Sequence, residues 1–453
     1  MATAWLALVF AFLGRFAAAS AIPPSAAAVA RAYYVATTGS DSNPGTLQRP
    51  FRTIQHALDV ATKPGDVVEV RRGTYYESIA FPSDGAPGRP IVLENYPGEL
   101  PVISGARGSS QKLVEIFNRS HVRFGGFAVV DLAATSPSES GAVFVEGAGD
   151  DVEIASTRIE NVRPKPHVYA NGRGIQVRGY DRNRALTNVA IVGNTIEHCV
   201  VQDGNVLEIS GNTAGARILA NHLFENTGIA LNVTGGTHPP MYGRWNLQVR
   251  DVLVQGNTVE STRGSGGIGL YIQGSANVRV TGNRVTGNSW GLYVTSEYPQ
   301  VHSRNVAIAG NFISDNTEAG LLVGSPFFPT TVLGATVVDN VVIHNGAFES
   351  GNGGNFGIGR ARNVHVHGNR FVAADEQVLT DLGAPYESVT LDENCYDDPK
   401  HIAATAMFGY AGKTYTGFSR YRSATGQDRS SRFGQCTSSI RVGPVPVRDS
   451  ASR

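Results

Sequence analysis

The sequence is poor in the residues that mark several large classes of protein. Its three cysteines, at positions 199, 395 and 436, are too few and too widely spaced for a structural zinc site. It has five lysines, and its 38 basic residues balance 38 acidic ones. That balance offers no polybasic surface for nucleic acid or an anionic membrane. Only 17% of residues are charged and only three are methionine, which argues against a helical bundle. Beyond the first 21 residues, no apolar run approaches the ~18 needed to cross a bilayer. The 453-residue chain is instead rich in glycine (53) and asparagine (28), the residues that best tolerate the positive φ of tight turns.

The first 21 residues, MATAWLALVFAFLGRFAAASA, form an apolar stretch ending in Ala19, Ser20 and Ala21. Such a stretch reads as a secretory signal with a small-residue cleavage site. A secreted, extracellular or periplasmic protein with no membrane segment in its mature form is therefore expected. In that oxidising setting Cys395 and Cys436 are expected to join, leaving Cys199 free.

A repeated frame sets the architecture. Segments of the form Val-x-Val-x-x-Asn end at Asn194, Asn221, Asn257, Asn283, Asn311, Asn340 and Asn369, 26 to 36 residues apart. HVRFGGF and DVEIASTRI fit the same frame, with Gly126 and Thr157 at the asparagine position. Most copies are followed by a second alternating segment that starts with glycine: GIQV from Gly174, GIAL from Gly228, GIGLYI from Gly267, GLYV from Gly291 and GLLV from Gly320. Period-two alternation puts one apolar face inward. A unit this short cannot bury that face alone, so the copies must stack, and their asparagines are expected to form a ladder along the stack. Upstream, Phe51, Ile54, Leu58 and Ala61 recur at helical spacing, which predicts a helix capping the open end. The expected fold is all-β: a single-stranded right-handed parallel β-helix with an N-terminal capping helix.

The opening YYVATTGSDSNPGTLQRPFRTIQHALDVATKPGDVVEVRRGTYYESI, and then GRPIVLENYPGELPVISG, resembles the first rungs of right-handed parallel β-helix proteins that act on polysaccharides. These include family 9 pectate lyases and several β-helical glycoside hydrolases. FSRYRSATGQDRSSRF is similar to tails in the same group. The resemblance covers most of residues 33–435 and implies this fold; with the signal at 1–21, the chain is expected to divide into a capped β-helix at 33–394 and a disulfide-stapled tail at 395–453. It also implies a polysaccharide or oligosaccharide partner for a monomeric protein. The scaffold serves hydrolases, lyases, epimerases and non-catalytic adhesins, so the reaction stays open. Family 9 lyases carry a calcium cluster and a lysine base in a Gly-Phe-Lys-Leu strand. The comparable run GNGGNFGIGR has Gly357 at the lysine position. No cofactor is expected, with calcium left open by the acidic pairs Asp397-Asp398 and Asp375-Glu376.

Because inward residues are packed, substrate can meet only the outward face of the glycine-initiated strands and the long turns beside them. With Ile175, Leu207, Leu231 and Leu270 inward, the outward set includes Gln176, Arg178, Glu208, Asn232, Tyr271 and Tyr293. Glu208 is placed between Arg178 one rung earlier and Asn232 one rung later. Asp203 and Glu225 each precede an inward residue, Leu207 and Ile229, by four, which suggests equivalent positions on adjacent rungs. Paired carboxylates are what glycoside hydrolysis needs, one as acid and one as nucleophile or base. The expected catalytic set is therefore Asp203, Glu208 and Glu225, with Arg178 orienting an acidic sugar or holding a carboxylate ionised. Lys165, His167, Tyr169, Arg173, His238, Tyr242, Arg244 and Trp245 in the turns, with Asn232, Tyr271 and Tyr293, are the expected sugar-binding residues. Hydrolysis is the favoured reading. A lyase or C5-epimerase acting on a uronate polymer, with Arg178 or Lys165 as base, and a non-catalytic glycan-binding protein are the alternatives.

Overall fold

A computed structural model describes residues 31–108, 110–236, 247–298, 300–325, 327–346, 354–374, 380–381 and 386–436. The expected signal segment lies outside them. The chain forms a right-handed parallel β-helix with three long parallel sheets. The first sheet runs from Arg31–Val35 to Tyr386–Asp392, the second from Gly73–Tyr75 to Arg432–Phe433, and the third from Ile79–Ala80 to Thr380–Asp381. One rung visits all three in turn, as in Ala190–Val192, Thr195–Glu197 and Asn205–Gly211.

The register accounts for the alternating pattern. Ile191, Ile218 and Val254 stack inward in the first sheet. Ile196, Leu223 and Val259 do so in the second, and Ile175, Leu207 and Leu231 in the third. All nine are buried in one continuous core. Burying each such side chain contributes about 1.5–3 kcal/mol.

Between the first and second sheets the chain turns in two residues, and here the asparagine ladder forms. The residue before the asparagine has positive φ: 63° at Gly193, 66° at Gly256 and 63° at Gly282. Glycine adopts this without a steric penalty, whereas Ala220 and Asp339 hold the same conformation in their copies. Each asparagine then reaches the next rung. Asn283 donates its backbone N–H and its Nδ2 to Asn311 Oδ1 at 2.9 Å, and Asn311 does the same to Asn340. The chain of bonds runs from Thr157 through Asn194 to Asn394. A second ladder at the opposite corner links Asn288, Asn316 and Asn345, and the sequence reading did not anticipate it.

The helix expected near Phe51 is a two-turn element, Ile54–Val60, with Ile54, Ala57 and Leu58 buried and Thr53 as N-cap. At the other end Cys395 and Cys436 are joined, Cys199 is free and buried, and Arg432–Phe433 pairs with Cys395–Asp397. Burial pushes the Cys199 thiol up to about 12.

Candidate functional site

The outward columns of the third sheet mix charged, amide, hydroxyl and aromatic side chains. One registered column runs Phe144, Gln176, Glu208, Asn232, Tyr271, Tyr293. Its neighbour runs Glu146, Arg178, Ser210, Thr234, Gln273, Thr295. The residue one rung before Glu208 is thus Gln176 rather than Arg178, because Arg178 pairs with Ser210. Arg178 instead crosses between columns. Its Nε lies 3.8 Å from Glu208 Oε1, and its Nη1 lies 3.7 Å from Glu146 Oε1 and 3.4 Å from Glu139 Oε1. Its Nη1 also donates to the Ser138 carbonyl at 3.1 Å, and its Nη2 to Gln176 Oε1 at 3.0 Å.

Glu208 was expected on the solvent side, yet it is 9% exposed. Asn205 Nδ2 donates to its Oε2 at 2.6 Å. Burial works against its charge, but Arg178 and then Arg173 outweigh it and hold the carboxyl below its ordinary range. A carboxyl held below that range is ionised at neutral pH, which fits a nucleophile or a base.

A second ionic cluster adjoins this one. Lys112 Nζ contacts Glu146 Oε2 at 2.6 Å, Glu115 Oε1 at 3.0 Å and Glu139 Oε2 at 3.1 Å. Tyr180 donates to Glu146 Oε1 at 2.7 Å. A cavity of about 350 Å³, lined by Ser78, Ser110, Gln111, Lys112, Glu115 and Glu139, opens beside it. Sequence reasoning missed Glu146, although GAVFVEG from Gly141 repeats the glycine-initiated pattern and would have placed it one rung upstream. Lys112 and Glu139 carried no comparable signal.

The pairing of Asp203 with Glu225 expected from the sequence does not form. Glu225, at φ 52°, follows the second-sheet strand His222–Phe224 just as His198 follows Thr195–Glu197, and its Oε2 lies 2.8 Å from His198 Nε2. It stands at the corner between the second and third sheets. Asp203 lies in a different setting because residues 198–204 separate Glu197 from Asn205, whereas only 225 and 226 separate Phe224 from Thr227. Asp203 is exposed and accepts a hydrogen bond from Tyr169, and Asn171 Oδ1 accepts the Gln202 N–H and, at 3.3 Å, the Asp203 N–H.

Tyr271 and Tyr293 are 1% and 6% exposed and stack on each other with ring centroids 5.3 Å apart. They belong to an apolar cluster with Ile268, Ala319 and Leu322, and Tyr271 donates to Glu297 at 2.8 Å from the segment folded over the face. Their rings are occupied by protein and are not free to stack on a sugar. Burial, followed by the nearby Glu297, pushes the Tyr298 hydroxyl up to about 12. Lys165, His167 and Tyr169 are exposed on the turn ahead of the strand Arg173–Gly179. Arg173 and Asn232 are buried against the cluster. His238, Tyr242, Arg244 and Trp245 lie outside the described residues, as does the Asp375-Glu376 pair.

Among the described residues no group of three or more His, Cys, Asp or Glu is arranged to hold a metal ion. Asp398 is engaged locally, accepting from the Lys400 and His401 N–H groups. No described helix is long and apolar enough to cross a membrane.

Comparison with known proteins matches this architecture. The family described as right handed beta helix region matches residues 133–305 and 241–395, and a Pel9A-like right handed beta helix region matches residues 33–195. The uncharacterized protein YwoF of Bacillus subtilis (strain 168) is 26% identical over 415 residues, covering 88% of this chain and 87% of YwoF. Pectate lyase PEL9 of Emericella nidulans is 38% identical over 81 residues, 17% of this chain and a fifth of PEL9. Among solved structures, the GH136 lacto-N-biosidase from Eubacterium ramulus superposes with a TM-score of 0.57 at 14% identity, over 81% of this chain and 67% of that one.

Proposed function

The chain belongs to the right-handed β-helix family, and from that premise we propose that it is a secreted, monomeric enzyme that cleaves glycosidic bonds in an extracellular polysaccharide at the third-sheet face. The observation that carries this reading is the buried polar cluster of Arg173, Arg178, Glu208 and Asn232. Charged groups are rare at buried positions, and regular sheet stability does not require them. The neighbourhood of solved carbohydrate-active structures supports the substrate class.

In the hydrolytic reaction Glu208, held ionised by Arg178, is the nucleophile or the base for water. The proton for the leaving oxygen comes from Asp203, at the mouth of the same face. Glu225, engaged by His198 in the next rung's two-residue turn, takes no part. Elimination from a uronate polymer is the second reading, favoured by one observation: an ionised carboxylate beside two guanidinium groups supplies both a base and a cation for the developing enolate.

Incubation of the protein with neutral and acidic polysaccharides, followed by mass analysis of the products, tests both. New reducing ends without ultraviolet absorbance indicate hydrolysis, and a conjugated unsaturated uronate indicates elimination. No product from any polymer, or full activity in Glu208→Gln, refutes the assignment of this face.

A further inference from the structure

Glu208 sets the direction of a chain of amides that ends in an unmet acceptor. An ionised carboxylate can only accept hydrogen bonds, so Asn205 must present Nδ2 to it, and that nitrogen donates to Glu208 Oε2 at 2.6 Å. The other end of the same amide, Asn205 Oδ1, is then left to accept from Asn232 Nδ2 at 2.9 Å. Asn232 is registered with Glu208 one rung later, and its own Oδ1 is buried without a hydrogen-bond partner. The order Glu208, Asn205, Asn232 therefore fixes which way both amides face, and it delivers a bare carbonyl oxygen to the rung beside Glu208.

Two neighbours narrow what this oxygen can bind. Gln273 Oε1, one rung further on in the adjoining column, is a second buried acceptor without a partner. Arg173 interacts with the charges of Glu208 and Glu139, yet its Nε and Nη1 make no hydrogen bond. Buried polar atoms are normally paired. Tyr271, which follows Asn232 in the column, does not supply the donor, because its hydroxyl donates to Glu297. A ligand carboxylate cannot supply it either, having no proton to give. A sugar hydroxyl both donates and accepts, so hydroxyls meet both needs, donating to Asn232 and Gln273 and accepting from Arg173.

The geometry points to Asn232 as the residue that recognises a free hydroxyl on the sugar unit bound against Glu208, and to Asn205 as the positioning residue that aims it. This rests on the glycan-active reading of that face and holds for hydrolysis and elimination alike. It makes the site selective against a unit whose hydroxyl carries an alkyl group, since an ether oxygen set against the Asn232 oxygen brings two acceptors together.

The test uses polygalacturonate, alginate and xylan, each native and partially O-methylated, with binding read by affinity electrophoresis and cleavage by new reducing ends. The wild-type chain should bind the methylated form of the polymer it prefers about tenfold more weakly than the native form. Asn232→Leu keeps the bulk of the side chain and removes the acceptor, so it should lose most of that ratio. A ratio that survives in folded Asn232→Leu overturns the assignment. Asn205→Ala should raise KM by releasing the Asn232 amide. It should also move the acidic limb of the kcat/KM profile to higher pH, because Glu208 keeps Arg178 and Arg173 but loses a bond that favours its charged form. A merely structural role would leave that limb in place, and an unmoved limb overturns the part given to Asn205. If Asn232→Leu does not fold, the wild-type ratio still decides: equal binding of native and methylated polymers overturns the proposal while leaving the glycan-active reading intact. Failure to bind any polymer removes both.

Discussion

Replacing Asn311 by alanine should weaken the whole stack, and the ladder geometry sets the size of the effect. The asparagine is 1% exposed. Its Oδ1 accepts two bonds from Asn283, and its Nδ2 donates to the Val280 carbonyl and to Asn340 Oδ1, each at 2.9 Å. In Asn311→Ala, the Asn283 amide Nδ2 keeps the Val254 carbonyl at 3.0 Å, but the Asn283 backbone N–H loses its acceptor. One orphaned buried donor costs about 1–3 kcal/mol, and each net hydrogen bond lost adds about 1 kcal/mol. The expected destabilisation is therefore about 3–5 kcal/mol. Asn305→Asp is the control, since Asn305 is exposed and donates a single 3.1 Å bond to Asn277, and it should cost less than about 1 kcal/mol. Urea unfolding followed by the far-ultraviolet β-sheet signal measures both, with an unchanged slope as the check on comparability. A midpoint for Asn311→Ala corresponding to less than about 1 kcal/mol, or equal to that of the control, would refute the idea that the ladder holds adjacent rungs together.

Three further outcomes are expected. Thiol titration of the denatured, unreduced chain should find one sulfhydryl, that of Cys199, and titration of the native chain should find none, because the thiol is buried and its pKa is raised; three reactive thiols would contradict the Cys395–Cys436 link. Glu208→Gln should fold, since Arg178 keeps Glu139 and Glu146, and should slow product formation by ~10²–10⁴-fold in an activity assay. The Glu99 carboxyl is held down at about 2 by hydrogen bonds from Arg71 and the Arg72 N–H. Its folded pKa lies below its unfolded value, so its stabilising effect is present above the ordinary carboxylate range and disappears as pH falls towards 2. Glu99→Gln should consequently be less stable than wild type at pH 7 and approach it near pH 2, as read by thermal melts across that range.

The ladder was legible because a buried asparagine must find a partner, and in a stack of identical turns the nearest partner is its own copy. That requirement leaves a fixed-length turn and a countable period in the sequence. The inward Ile175, Leu207 and Leu231 were legible for the same reason, since alternation fixes a face. The site was only partly legible because it depends on the turns that vary. Glu225 and Asp203 share a spacing to the following strand, but seven residues fill one turn and two fill the other, so the shared spacing carried no geometry. Burial of Glu208, Tyr271 and Tyr293 depends on contacts across rungs, such as Tyr271 with Glu297, which period-two alternation does not encode. The salt bridge of Lys112 to Glu146, 34 residues apart, belongs to this same class.

The similar separation of ladder partners, between 25 and 37 residues, also bears on how the molecule assembles. Adding a rung closes a loop of about the same size whether it is the third or the tenth. Because closure entropy rises only slowly with loop length, by about 0.6 kcal/mol per doubling, each rung faces nearly the same hurdle. Long chains of this kind need no long-range search, and growth can proceed by docking each new coil onto a finished template. Among the described residues the final coil is followed by no further full rung. There the covalent link between Cys395 and Cys436 does what a further rung would otherwise do, fixing the last turn against fraying.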